Sequence, residues 1–279
     1  MADQKMASPK RTVLITGCSD GSLGSYLAIA FHKAGLHVYA TARNPSKMQG
    51  LIAFGIETLT LDVLSDSSIA TAVAQIPALD ILVNNAGAVL NMPFSDLSIP
   101  EAKKLFDLNV WSYLAVTQAF LPLLLKSKGI IANQTSGASV VTLPFQSTYN
   151  ASKAAMAMFS DTQRLELEPF GIRVVDLKTG SVNSNIQKST IGKTTLPKGS
   201  IYEPAREAVE KTLGGEEFFK NAGEPTKWAE GVSPPPLIWL PGSINMFLIR
   251  IGLLLPFGTF DGTIKKMAGL DIVAQRVKK

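Results

Sequence analysis

The chain has 279 residues, 46% apolar and 18% charged, which suits the filled core of a large α/β domain and excludes a disordered chain. Its formal charge of +5 comes from scattered Lys and Arg with no block longer than a pair; this excludes the basic stripe of a nucleic-acid binder and is compatible with an anionic cofactor or membrane surface. One cysteine, Cys18, excludes an internal disulfide framework, and with only His32 and His37 beside it no metal site is expected.

Residues 1–11 are polar and lack the apolar stretch of a signal peptide, so they read as a flexible tail and the chain as cytoplasmic. The run 12–16 is short, apolar and β-branched, and it ends in the glycine-rich stretch Gly17, Ser19, Gly21, Ser22, Leu23, Gly24. A helical pattern follows over 25–34, then Gly35, then a second strand over 37–41. Strand, glycine turn, helix and strand within about thirty residues is the layout of a dinucleotide-binding unit. Glycines let the backbone approach a pyrophosphate, and the helix N-terminus adds N–H groups and a favourable dipole.

The alternation continues. A strand over 56–61 precedes Asp62 and Val63, and a helix over 65–75 opens on a Ser cap. The strand 79–83 runs into Asn84, Asn85, Ala86 and Gly87. A long helix over 100–126 carries Asn109 near its middle, and the apolar stretch 129–133 leads to Ser136. A helix begins at Tyr149 and runs to about Pro169, and a sixth strand covers 172–177, shortly before Gly180 and Val182. Strands alternating with helices predict one doubly wound parallel sheet of about seven strands, covered on both faces, with the domain spanning 12–242. Tyr149 and Lys153 lie one helical turn apart on one face. An ammonium beside the phenol is expected to lower its pKa, so that the pair can hand a proton to an oxygen at neutral pH.

Thr16–Gly17…Gly21…Gly24, Asp62, Asn84–Gly87, Asn109, Ser136 and Tyr149…Lys153 together resemble the short-chain dehydrogenase/reductase family over residues 11–180. The resemblance implies a Rossmann-type fold and a bound nicotinamide nucleotide, for which the cofactor expected here is NADPH/NADP+. The nucleotide would be held by Gly17, Ser19, Gly21, Ser22, Leu23, Gly24, Arg43, Asp62, Val63, Asn85, Ala86, Gly87, Tyr149, Lys153, Gly180 and Val182. It makes Tyr149 the acid/base, with Lys153 lowering its pKa and holding the nicotinamide ribose. Ser136 would orient the substrate oxygen, and Asn109 would hold a helix kink and a relay water. The glycine turn is one residue longer than the family's, leaving open whether Gly21 or Ser22 approaches the pyrophosphate. Lys178–Ser184 replaces the usual Pro-Gly…Thr, so the residue clasping the nicotinamide amide is open too. At the end of the second strand stands Arg43 and no acid, which favours a 2′-phosphate and hence NADPH over NADH.

Loops 88–97, 137–146 and 181–200 are the candidate substrate walls. Val89, Leu90, Met92, Phe94, Val140, Val141, Leu143 and Phe145 suit a lipophilic carbonyl or belong to the core. The third loop, with Lys188, Lys193 and Lys198, has the composition of a lid. A helix is expected over 201–220, a stop at Ser233–Pro236, a strand over 237–240 and an apolar helix from Ser243. The extension 243–279 would cap the pocket, enter a dimer or tetramer, or, through 237–257, touch a membrane such as the endoplasmic reticulum or lipid-droplet surface. The pattern Leu255-Pro256-Phe257…Phe260-Asp261-Gly262 resembles a fungal subgroup like NADPH-dependent acyl-dihydroxyacetone-phosphate reductases, with relatives acting on polyketide or terpenoid ketones. The leading expectation is a ketone/secondary-alcohol oxidoreductase on a lipophilic substrate. The alternatives are an acyl-dihydroxyacetone-phosphate reductase of lipid synthesis, another biosynthetic step on the same site, and a non-catalytic nucleotide-binding or scaffold protein.

Overall fold

In a computed structural model, which describes residues 10–186, 194–215, 222–232, 237–240 and 261–277, strands and helices alternate from the start. The strands are β1 (Thr12–Thr16), β2 (His37–Ala42), β3 (Glu57–Thr60), β4 (Ile81–Asn84), β5 (Ile130–Ser136), β6 (Arg173–Thr179) and β7 (Leu237–Leu240). All pair in parallel, in the order β3-β2-β1-β4-β5-β6-β7. The order reverses between β1 and β4, so a crevice opens at their carboxyl ends, where open α/β sheets bind ligands.

Central strands of such a sheet are buried on both faces and read as continuous apolar runs. Val13 and Ile15 pack on one side with Leu27 and Ala28 of helix α1 (Leu23–Lys33). Leu14 and Leu82 pack on the other with Val116, Phe120 and Leu124 of a long helix. That helix is not uniform. It comprises α2 (Ile99–Phe106), a π-helical turn at Asp107–Trp111 and α3 (Ser112–Ser127). By length and composition the whole stretch could cross a membrane, yet Tyr113, Val116, Phe120 and Leu124 are buried inside the protein, as in a core helix.

Most expected elements lie within two residues of their observed ends. The helix over 65–75 begins at Asp66, with Ser65 as its cap accepting from the Ser68 N–H. The helix bearing Tyr149, α4 (Ser147–Leu167), starts two residues early, so Tyr149 sits in its first turn. The helix expected over 201–220 is shorter: a 3₁₀ turn at Glu203–Ala205 leads into α5 (Arg206–Leu213), which ends at Gly214, a residue that forms helix poorly. Residues 216–220 of that expectation lie outside the described residues, as do Lys188, Lys193, the stop at Ser233–Pro236, the apolar helix from Ser243 and the 255–260 pattern. Of 237–257, only β7 is described.

Two C-terminal helices follow, Asp261–Met267 and Leu270–Val277, and the second packs on α5. Ala268, Leu270 and Val273 form an apolar cluster with Val209, Leu213, Leu196, Tyr202 and Phe145. Phe145, at φ 64°, is one of two non-glycine residues with positive φ among those described.

Candidate active site

The glycine turn is built as tightly as its composition suggests. Gly17 has φ +75°, and a Cβ there would lie 2.8 Å from the Ala86 Cα. A Cβ on Gly24 would stand 2.6 Å from Asn85 Nδ2 and 2.7 Å from the Gly17 carbonyl. These approaches let the turn after β1 lie against the turn after β4. Thr16 Oγ1 accepts from the N–H groups of Asn85 and Ala86 at 2.9 and 3.0 Å. Asn85 Nδ2 donates back to the Thr16 carbonyl at 2.8 Å.

Ser22 caps α1. Its Oγ accepts from Ser25 N at 3.2 Å and donates to the Gly17 carbonyl at 2.9 Å. The first turn of α1 has no acidic residue, so nothing in it repels a phosphate from the dipole. Gly21 does not face open space. Asn185, from the segment after β6, donates Nδ2 to the Asp20 carbonyl at 2.6 Å and its N–H to the Gly21 carbonyl at 3.0 Å. A Cβ on Gly21 would meet the Asn185 amide at 2.5 Å. The extra residue of the turn is therefore taken up by a helix cap at Ser22 and a crossing segment at Gly21.

Ser19 and Leu23 are half-buried in the same turn, and Arg43 is exposed at the end of β2. Asp62, just beyond β3, accepts from Leu64 N at 3.0 Å, while the Val63 side chain is core. Gly180 is half-buried after β6. Val182 differs from expectation: its side chain packs with Trp228 and Ala229, so only its backbone can face a ligand.

The four candidate catalytic residues meet at the carboxyl ends of β4 and β5. Ser136 is the last residue of β5, and its hydroxyl lies near enough to the Tyr149 phenol to lower its pKa. Lys153, 3% exposed, donates Nζ to the Gln134 carbonyl at 2.9 Å, with Nζ 5.9 Å from the Tyr149 ring centre and 5.6 Å from that of Tyr113. Gly87 makes room for this: a Cβ there would stand 3.8 Å from Lys153 Nζ and 3.2 Å from Asn109 Oδ1. Asn109 is fully buried in the π-helical turn. Its Oδ1 accepts from Ala88 N at 3.0 Å, and its Nδ2 donates to the Ala88 carbonyl at 3.0 Å and to Ser152 Oγ at 3.1 Å. A π turn places one extra residue in the helix, a feature frequent at functional sites.

The electrostatics correct one expectation. Burial pushes the Tyr149 phenol up, and the Ser136 hydroxyl draws it only partly back, so the lowering expected from Lys153 does not prevail. The reason is that the same burial acts on Lys153, pushing its ammonium down to about 8, with Asp176 opposing the fall. Burial raises Tyr113 as well. Cys18 is inert, its thiol fully buried and pushed up to about 12.

Around Tyr149 the surface is apolar. The phenol packs with Ala88, Val89, Leu105 and Ala138, and Leu143 and Ile186 lie partly exposed against them. Leu90 is core, at 1% exposure. Phe94 and Val140 are exposed at the surface.

A sequence profile described as short chain dehydrogenase matches residues 11–195. The chain belongs to the short-chain dehydrogenase family. Among its relatives, a short-chain dehydrogenase/reductase of Pestalotiopsis microspora is 53% identical over 98% of this chain and 99% of its own. An NADPH-dependent 1-acyldihydroxyacetone phosphate reductase of Schizosaccharomyces pombe is 35% identical over 95% of this chain and 96% of its own. Among solved structures, a short-chain dehydrogenase from Streptomyces avermitilis superposes with a TM-score of 0.74 at 25% identity, covering 96% of this chain and 98% of that one.

In this short-chain dehydrogenase several site neighbours escape a reading of motifs. Thr16 ties the two turns together. Tyr113 lines the Lys153 pocket and donates its hydroxyl to the Gln134 carbonyl at 3.4 Å. Asn185 crosses the glycine turn. One signal was available for Asp176 and Lys178: an acid and a base two apart inside an apolar strand must share a face and be buried.

Proposed function

We propose that this chain is an NADP(H)-dependent oxidoreductase that interconverts a ketone and a secondary alcohol on a lipophilic substrate, with Tyr149 as general acid and base. The observation that carries this reading is the buried meeting of Ser136, Tyr149, Lys153 and Asn109 at the mouth of the sheet crevice, beside a glycine turn closed on Asn85–Gly87.

The residues present fit a nicotinamide dinucleotide. Gly17 and Gly24 leave the turn no room for side chains, and α1 presents its unopposed N-terminus. The holding residues would be Gly17, Ser19, Gly21, Ser22, Leu23, Gly24, Asp62, Asn85, Ala86 and Gly87, with Lys153 for the nicotinamide ribose. The backbone at Val63, Gly180 and Val182 would complete the set. When bound, the nicotinamide exchanges a hydride with the carbonyl carbon. The chain's own residues do the rest. Tyr149 Oη holds the proton for the substrate oxygen; a phenol ordinarily titrates near ~10 and so carries that proton at neutral pH. Ser136 and Tyr149 present two donors to that oxygen as charge develops on it. Lys153 is aimed by the Gln134 carbonyl, and Asn109 fixes the Ala88 backbone along the same wall.

NADP(H) is supported by exposed Arg43 at the end of β2 and by the NADPH dependence of the Schizosaccharomyces pombe relative. Arg43→Ala is expected to weaken NADPH by about tenfold or more and NADH little, since a charge-assisted bidentate contact is worth roughly 1.5–3 kcal/mol. Titration of both nucleotides by fluorescence checks this, and equal weakening would refute the assignment.

A lipophilic substrate is supported by Val89, Leu143 and Ile186 around the phenol, and an acyl-dihydroxyacetone phosphate by the same relative. Trp111, Met158 and Leu165 are more than half exposed, a lining that suits a homodimer or homotetramer face. The test is NADPH oxidation against acyl-dihydroxyacetone phosphate and a panel of polyketide and terpenoid ketones. Turnover of at least one is expected. Silence on every ketone, together with no NADP+ reduction by the matching alcohols, would leave the non-catalytic reading in its place.

A further inference from the structure

Three polar side chains on β5 and β6 lie outside the four candidate catalytic residues. In the register of the two strands Thr135 pairs with Lys178 and Asn133 with Asp176. Thr135, Asp176 and Lys178 are all at least nine-tenths buried. Thr135 Oγ1 donates to Asp176 Oδ1. Lys178 Nζ lies 2.5 Å from Asp176 Oδ2 and donates to Ser139 Oγ at 3.5 Å.

This pair stands between the two anchors of the reaction. On one side, Ser139 belongs to the turn Gly137–Ser139, which Ser136 caps by accepting from Ala138 N at 3.1 Å. On the other, Lys153 is held by the carbonyl of Gln134, the residue before Thr135. A buried ion pair is a poor stabiliser, because desolvation offsets its attraction, and apolar replacements are often no worse. A role beyond stability therefore calls for explanation. Among the described residues the titratable groups beside Lys153 are the phenols of Tyr113 from α3 and Tyr149 from its own helix, and the Asp176 carboxylate from β6 with Lys178 beyond it. Gln134 from β5 and Gly87 after β4 face it with uncharged backbone. Asp176 is the carboxylate that opposes the loss of the Lys153 proton on burial.

We propose that Asp176, paired with Lys178, is a positioning residue for the reaction: its buried carboxylate keeps Lys153 charged beside Tyr149, and Lys178 ties that carboxylate to the turn that carries Ser136. This rests on the reading of Tyr149 and Lys153 as the proton-handling pair. In a poorly screened interior the sign of each charge is felt separately. Asp176→Asn removes the anion and leaves the Lys178 cation. Lys178→Gln leaves the anion alone. A merely structural role would give both substitutions the same kind of damage, whereas an electrostatic one gives them opposite signs.

The test is an NMR titration of the full chain with isotope-labelled lysine, in which the Lys153 side-chain resonance is the one missing from Lys153→Met. Its midpoint is expected to fall by about one pH unit in Asp176→Asn and to rise by about one in Lys178→Gln. The double variant, which buries no charge, is expected to lie between them and below the parent. The high-pH limb of NADPH oxidation should follow the same order. Shifts of one sign in both single variants, or no shift, overturn the proposal. If a single variant does not fold, the double variant decides: a midpoint equal to or above the parent's overturns it. The titration needs no substrate. Absence of turnover on every ketone, with the titration order intact, would defeat the functional reading and leave the electrostatic link standing.

Discussion

Tyr149→Phe is expected to lower turnover by about 10³-fold while leaving NADPH affinity within about twofold. The substitution keeps the ring, so packing with Ala88, Val89 and Ala138 and the face presented to Lys153 survive. What it removes is Oη, and with it both the proton for the substrate oxygen and the neighbour of the Ser136 hydroxyl. A general acid contributes roughly 10²–10⁴-fold, and loss of a donor to the developing alkoxide adds to that. The measurement is kcat for NADPH oxidation on the best ketone, set against NADPH binding by fluorescence. Turnover within about tenfold of the parent would mean that another group carries the proton. Turnover and binding lost together would mean that the phenol serves the pocket's shape instead.

Asn109→Leu is expected to have the second largest effect, on stability and turnover together. Asn109 is fully buried and makes three hydrogen bonds, two of them to the Ala88 backbone and one to Ser152. Leucine has the same branched heavy-atom shape, is bulkier, and can make none of these. Both polar groups of Ala88 would be stranded away from water, each costing about 1–3 kcal/mol. A total near 4 kcal/mol corresponds to a Tm lower by roughly 10 °C for a chain of this size. The π-helical turn would lose the side chain that ties it to the loop after β4, and the wall between Gly87 and Lys153 would loosen. Thermal unfolding followed by circular dichroism checks the first part and turnover at low temperature the second. A Tm within about 2 °C of the parent would show that water or backbone shifts satisfy Ala88 without Asn109.

The parallel sheet was legible because its signals are local. A β-branched run such as Thr12–Thr16, a glycine turn and a helix of period 3.6 each follow from residues close in the chain, and alternation of such units admits few topologies. The end of the helix at Arg206–Leu213 was overrun, although the pair Gly214–Gly215 marks it locally. The π turn was invisible. Nothing in Asp107–Trp111 departs from ordinary helix composition, and the extra residue is held by Asn109 reaching across to Ala88, a partner 21 positions away.

By itself the sequence determined the alternation of strands and helices, the place of the glycine turn, and which side chains meet at the crevice, namely Ser136, Tyr149, Lys153 and Asn109. It could do so because spacing along a helix or strand dictates which face a residue occupies. Only the tertiary structure decided how those groups are tuned. Tyr149 was expected to titrate low beside an ammonium, yet enclosure by Ala88, Val89 and Leu105 removes water from both partners, and desolvation outweighs their mutual attraction. The crossing of Asn185 over Gly21 and the contact of Thr135 with Asp176 depend likewise on segments far apart in the chain. Distance through space and exclusion of water set electrostatic energies, and neither is written in the order of residues.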